Sequence, residues 1–167
     1  ELPSQFLENY AWHERVLAEV SGHFATGERL PDETRSQLIA TRSFHAGLAT
    51  MRQIEFALFD FRLHSEYAPE RGGRVLETLA EVRREVAVLI PPEWHRFPHS
   101  FSHIFGGGYG AGYYSYKWAE VLSADAYAAF EEAGDPFDAT VGKRFLDEIL
   151  AMGGARPAIE SFTAFRG

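Results

Sequence analysis

The sequence predicts an all-α chain, a single helical unit over residues 1–167. Three observations lead there. Apolar residues recur at helical spacing along most of the chain. Glycine and proline clusters cut that pattern into helix-sized lengths. No stretch keeps the alternation of apolar and polar residues that marks a half-buried strand.

The first helix is expected over residues 1–15, with Pro3 tolerable in its opening turn. Glu1, Gln5, Glu8 and Trp12 fall near one face of it. Ser21-Gly22 and Thr26-Gly27 mark a loop. Pro31-Asp32 opens a second helix with Asp32 as N-cap. A third runs over 43–67. Its apolar residues, among them Leu48, Met51, Ile54, Leu58, Phe59 and Phe61, cover more than one stripe, which predicts substantial burial. Within it, Asp60 and Arg62 are expected to form structural ion pairs. Gly72-Gly73 punctuates, a fourth helix covers 75–89, and Pro91-Pro92 ends it. Residues 94–100 read as a surface loop interrupted by Pro98.

The most informative stretch is His103 to Tyr116, H-I-F-G-G-G-Y-G-A-G-Y-Y-S-Y. Gly106, Gly107 and Gly108 let the backbone bend sharply or pass close to a ligand. The following residues suit a helix, on which Tyr109, Tyr113 and Tyr116 at i, i+4 and i+7 share one face. Phenols beside an imidazole and a flexible loop can donate hydrogen bonds to a polar ligand or a developing oxyanion. The competing reading is an aromatic core stripe, since tyrosines are commonly half-buried. Beyond it, a break is expected at 123–125 and a short helix to 132. Another helix starts at Asp135-Pro136 and ends at Gly153-Gly154, and a final one covers 156–165.

Bulk properties narrow the function classes. One domain is the natural prior at 167 residues, with room for a sizeable core. Cysteine is absent, compatible with a cytoplasmic location. A net charge of −8 argues against general nucleic-acid binding. No apolar run reaches the roughly 20 residues that cross a bilayer, so no membrane partner is expected. His95, His99 and His103 are spaced by four, but Pro98 disrupts the helix that would align them on a metal.

Three segments carry a more specific signal: E-L-P-S-Q-F-L-E-N-Y-A-W at the start, R-Q-I-E-F-A-L-F-D-F-R-L-H at 52–64, and F-S-H-I-F-G-G-G-Y-G-A-G-Y-Y-S-Y-K-W-A-E-V-L-S-A-D-A at 101–126. Together they resemble, in order, the C-terminal part of the catalytic domain in the thimet oligopeptidase and oligopeptidase A family of zinc metallopeptidases. Those enzymes bind zinc through H-E-x-x-H on a helix and a later glutamate. Here the only His-Glu pair is His13-Glu14, and Leu17 stands where a second histidine would be needed.

The resemblance implies the rest. Glu1 matches the third zinc ligand; Glu8, two turns along on the same face by helix spacing, is placed either to orient a ligating histidine or to make a structural hydrogen bond. Tyr116 matches the tyrosine that hydrogen-bonds the oxyanion, and His103 a residue that contacts substrate near the same carbonyl. Tyr109 and Tyr113 match residues that hold the substrate backbone, while Gly107 and Gly108 belong to a loop that closes over bound peptide. The expected substrates are short peptides and the expected cofactor is one zinc ion. The chain is expected to be a C-terminal fragment lacking the H-E-x-x-H helix, inactive alone, with either the N-terminal part of the same protein or another copy of itself as partner. The alternative is a free-standing helical peptide-binding module without catalysis.

Overall fold

The structure, a computed structural model, describes Glu1 to Gly167 as helices and turns without strands. Nine α-helices follow in order: α1 Leu2–Ala11, α2 Glu14–Val20, α3 Asp32–Ala40, α4 Ala46–Ser65, α5 Val75–Val86, α6 Ser102–Phe105, α7 Ser115–Glu132, α8 Ala139–Phe145 and α9 Ala158–Arg166. The all-α expectation holds. The chain divides into two compact units, Glu1–Thr41 with Trp118–Gly167, and Arg42–Lys117.

The first unit is organised around stacked phenylalanines. Phe6 of α1 lies face to face with Phe145 of α8, centroids 4.0 Å apart, and Phe130 and the edge of Tyr10 close around it. Tyr10 donates its hydroxyl to the Pro136 carbonyl at 2.8 Å. Burial pushes the Tyr10 phenol up to about 12, with the neighbouring Tyr127 and Asp135 adding to the effect.

Several boundaries differ from the sequence expectation, each for a local reason. The first helix stops at Ala11 because His13 takes extended backbone and its Nδ1 accepts from Arg15 N–H at 3.3 Å, capping a separate α2. Asp32 is the first helical residue of α3 rather than its cap, and its carboxylate pairs with Arg35 at 2.9 Å. No break occurs at 123–125. Ser123 is buried and accepts a hydrogen bond from Asn9 Nδ2 at 3.3 Å, and Ala126 sits in the core, so these small residues pack within α7 instead of punctuating it. The helix expected from Asp135 begins at Ala139. Asp138 caps it, accepting from Thr140 and Val141 N–H at 2.9 and 2.8 Å. Its end relaxes into a π turn over Leu146–Leu150.

In the second unit α4 and α5 pack together around Phe59, Leu79 and Val82, with Phe101, Ile104 and Tyr113 completing the core. Only Glu55, Phe59 and Asp60 of α4 are fully buried. Phe61 is half exposed, so the predicted burial is overstated within this chain. Glu55 receives Arg83 Nε at 2.9 Å, and the second arm of that guanidinium meets His95 Nδ1 at 3.1 Å. Arg62 pairs with Glu85 at 2.8 Å, as expected of a structural ion pair. Residues 97–100 form a 3₁₀ turn rather than a surface loop. Phe97 stacks on Phe56 at 4.3 Å and Pro98 is buried.

Candidate active-site wall

The glycine-tyrosine stretch is shaped by backbone bonds before any side chain enters. Ser102 carbonyl accepts from both Gly106 and Gly107 N–H, at 2.8 and 2.7 Å, ending α6 after four residues. Tyr109 N–H then returns to the His103 carbonyl at 3.0 Å. A side chain at Gly107 would place its Cβ 3.1 Å from His103 Cα and carbonyl oxygen, so the close return favours glycine and any other residue must push the backbone back by a few tenths of an ångström. Gly108 has φ +82°, which also favours glycine.

Tyr109 and Tyr113 are not on a helix. Residues 110–114 are turns, and α7 starts at Ser115. The helical spacing argument therefore gives the wrong backbone, yet the rings do converge. Tyr109 and Tyr116 are stacked at 5.0 Å, and Tyr113 lies 5.1 Å from Tyr116. His103 stands 6.0, 5.6 and 5.9 Å from Tyr109, Tyr113 and Tyr116 respectively. The chain reaches by a tight loop what one helix face would have achieved.

The members differ in exposure. His103 is exposed, while Tyr109 and Tyr116 are half-buried. Tyr113 is only 8% exposed, joins the core, and donates its hydroxyl to Gln53 Oε1 at 3.0 Å. Burial raises its phenol above the ordinary range, and the neighbouring Tyr116 raises it further while Arg52 opposes. Its geometry is that of a supporting ring, whereas His103, Tyr109 and Tyr116 present accessible surface. Tyr114 is half exposed.

The sequence marks Asp60 for an ion pair but not for the loop amides it holds. It is buried, and its two oxygens accept from the N–H groups of Ala111 and Tyr113, each at 2.9 Å. His64, for which the sequence suggested no partner, directs Nδ1 at the Asp60 carbonyl and carboxylate, 2.8 and 3.0 Å away. The F-D-F-R-L-H string held a signal, a lone aspartate between phenylalanines on a buried helix.

Glu1 and Glu8 belong to the first unit, both exposed. Glu1 precedes α1, and its carbonyl accepts from Gln5 N–H at 3.1 Å and Ser4 Oγ at 2.8 Å. No three His, Cys, Asp or Glu side chains converge to hold a metal.

Comparison with known proteins decides the family. The sequence pattern described as peptidase family M3 matches residues 1–167. The chain belongs to peptidase family M3. It is 54% identical, over its whole length, to oligopeptidase A of Salmonella typhimurium and 55% identical to that of Haemophilus influenzae. In each case it covers 24% of the relative. It is also 33% identical to saccharolysin of Saccharomyces cerevisiae, covering 23% of that protein. The chain thus spans about a quarter of the length of these M3 relatives, and the tyrosine loop lies within the matched segment.

Proposed function

We propose that this chain forms part of the catalytic domain of a zinc-dependent oligopeptidase that hydrolyses short peptides. The observation that carries the reading is the convergence of exposed His103 of α6 with half-buried Tyr109 and with Tyr116 of α7 around one glycine-shaped loop, in a chain of the M3 family. Tyr116 donates its hydroxyl to the oxyanion formed when the peptide carbonyl becomes tetrahedral, and His103 contacts the same region of substrate. Tyr109 holds the peptide backbone. Gly107 and Gly108 bring the loop backbone close to that peptide. Tyr113, assigned to substrate by resemblance, is better suited to support Tyr116, because its own hydroxyl is engaged by Gln53.

A phenol suits the oxyanion role because it is protonated at neutral pH and offers one directed donor to a negative oxygen. The donor acts where charge appears, so it favours the transition state over the bound substrate.

In this reading Glu1 would be one ligand of the zinc, and Glu8 would orient a ligating histidine. One carboxylate does not make the three-ligand set of a catalytic zinc, so these residues alone do not fit the metal and no step is assigned to it. No helix is long and apolar enough to cross a membrane. A cytoplasmic location rests on a 50% identical relative named probable cytosolic oligopeptidase A of Arabidopsis thaliana, while an equally identical relative of the same plant is named organellar oligopeptidase A.

The test is steady-state kinetics on a fluorogenic short peptide, using the full-length protein. Tyr116→Phe is expected to lower kcat by roughly 10²–10³ with little change in KM. Tyr109→Phe is expected to raise KM and nearly keep kcat. Absence of peptide hydrolysis by the unaltered protein, or a Tyr116→Phe variant as fast as wild type, overturns the reading.

A further inference from the structure

The tyrosine loop has one attachment to the helical scaffold that neither the family match nor the proposed chemistry assigns. Asp60 sits on α4, 1% exposed, surrounded by the second unit's core. A carboxylate this deep is costly unless its oxygens are hydrogen-bonded. Here Oδ1 accepts from Ala111 N–H and Oδ2 from Tyr113 N–H, both at 2.9 Å. His64 Nδ1 adds a contact at 3.0 Å to Oδ1. The Asp60 carboxylate is therefore shared between two loop amides and one imidazole.

The loop between those amides is strained in a way that needs holding. Ala111 has φ +58°, a left-handed conformation that disfavours residues with a Cβ. On one side of it stands Gly110, where a Cβ would meet His64 Nε2 at 3.1 Å and the Ile104 carbonyl at 3.3 Å. On the other stands Tyr113, whose ring touches Tyr116 and whose hydroxyl reaches Gln53, also on α4. Tyr113 is thus tied to α4 at both its amide and its phenol.

We infer that Asp60 is a positioning residue, its buried carboxylate clamping the left-handed Ala111 turn onto α4 so that Tyr109, Tyr113 and Tyr116 keep their mutual placement. This inference rests on the oligopeptidase reading for its kinetic consequence. Flexibility in the loop then belongs to the glycines before Tyr109, and the segment from Ala111 onward moves with the scaffold.

Asp60→Asn in the full-length protein tests this. The substitution keeps side-chain size but turns one of the two acceptor oxygens into a donor, which cannot face an N–H. Amide exchange, followed by mass spectrometry of peptides covering 109–114, is expected to speed up about tenfold, with the middle of α4 unchanged. On a fluorogenic short peptide, kcat/KM is expected to fall about tenfold. The deciding readout is a double-mutant cycle. Tyr116→Phe is expected to cost a smaller factor in the Asp60→Asn background than in wild type, because an already misplaced phenol has less to lose.

Gly110→Ala perturbs the same turn from the loop side at an exposed position, and is expected to give the same signature at smaller size should Asp60→Asn fail to fold. Unchanged loop exchange in the folded variants overturns the clamp. Faster exchange with fully additive cycles leaves the peptidase reading standing and overturns the positioning role. If wild type hydrolyses no peptide while Tyr113 and Ala111 amides still lose protection in Asp60→Asn, the function reading falls and the clamp survives as a structural device.

Discussion

The two units solve the core problem with different chemistry. The first closes on Phe6, Phe130, Phe145 and Phe165, rings against rings with alanines between. The second threads Glu55, Asp60, Thr78 and Arg83 through its interior beside Phe59 and Val82. Apolar packing alone builds a stable floor, since dispersion and water exclusion need no fixed directions. Holding a loop with a non-glycine residue at positive φ needs directed bonds, and buried carboxylates supply them. The buried carboxylates, Glu55 and Asp60, are in the unit that carries the tyrosine loop, whereas the buried polar side chains of the first unit are Arg35, Ser123 and Ser161.

That contrast can be attacked from both sides. The largest loss is expected for Phe6→Ala, about 3–5 kcal/mol, since the stacked Phe145 and the tilted Phe130 would face a cavity. Urea unfolding followed by fluorescence measures it. A loss under about 1 kcal/mol would mean the first core collapses freely and is less close-packed than its geometry implies.

Arg83→Met is expected to be nearly as damaging, about 3–5 kcal/mol, because Glu55 would be left buried and unpaired. The double change Glu55→Leu with Arg83→Met is expected to recover most of that loss, because replacing both partners of a buried pair is often near neutral. Recovery would show that these charges direct the fold rather than stabilise it. If the double variant stays as weak as Arg83→Met, the pair is a net stabiliser.

A smaller effect concerns pH. Tyr10, with its phenol pushed up to about 12 by burial, holds its proton after an unfolded tyrosine has lost it. Its contribution is complete below pH 10 and disappears as pH rises toward 12. Thermal melts are expected to show a steeper fall across pH 10–12 for wild type than for Tyr10→Phe. Equal slopes would show that Tyr10 does not set the alkaline limit. The smallest effect is expected for Tyr114→Phe, within about 0.5 kcal/mol, because its ring is half exposed. A similar loss at Tyr114 and Tyr116 in peptide kinetics would reduce the loop to packing.

Much of this was legible in the sequence, for uneven reasons. Helix existence followed from periodicity, and the family from three ordered segments. Boundaries failed where a side chain of ambiguous role decided the matter. His13 and Asp138 cap helices, whereas Ser123 and Ala126 pack inside one. The tyrosine cluster was foreseen through a helix that does not form there, since a loop can bring the same rings together. The loop-holding role of Asp60 was out of reach because two of its partners are backbone amides some fifty residues away, and backbone leaves no mark on residue identity.

The three adjacent glycine positions are held to glycine, or freed from it, for three different reasons. Gly106 leaves ordinary contact distance for a methyl group, 3.8 Å from the nearest atom, so alanine or serine fits there. Gly107 is a problem of volume: every L-residue brings the same Cβ against backbone at 3.1 Å, so no member of the genetic code replaces it without moving the chain. Gly108 is a problem of handedness, with open space but φ +82°, so asparagine is the natural second choice. A saturation library across G-G-G is expected to return three different alphabets from one repeated letter.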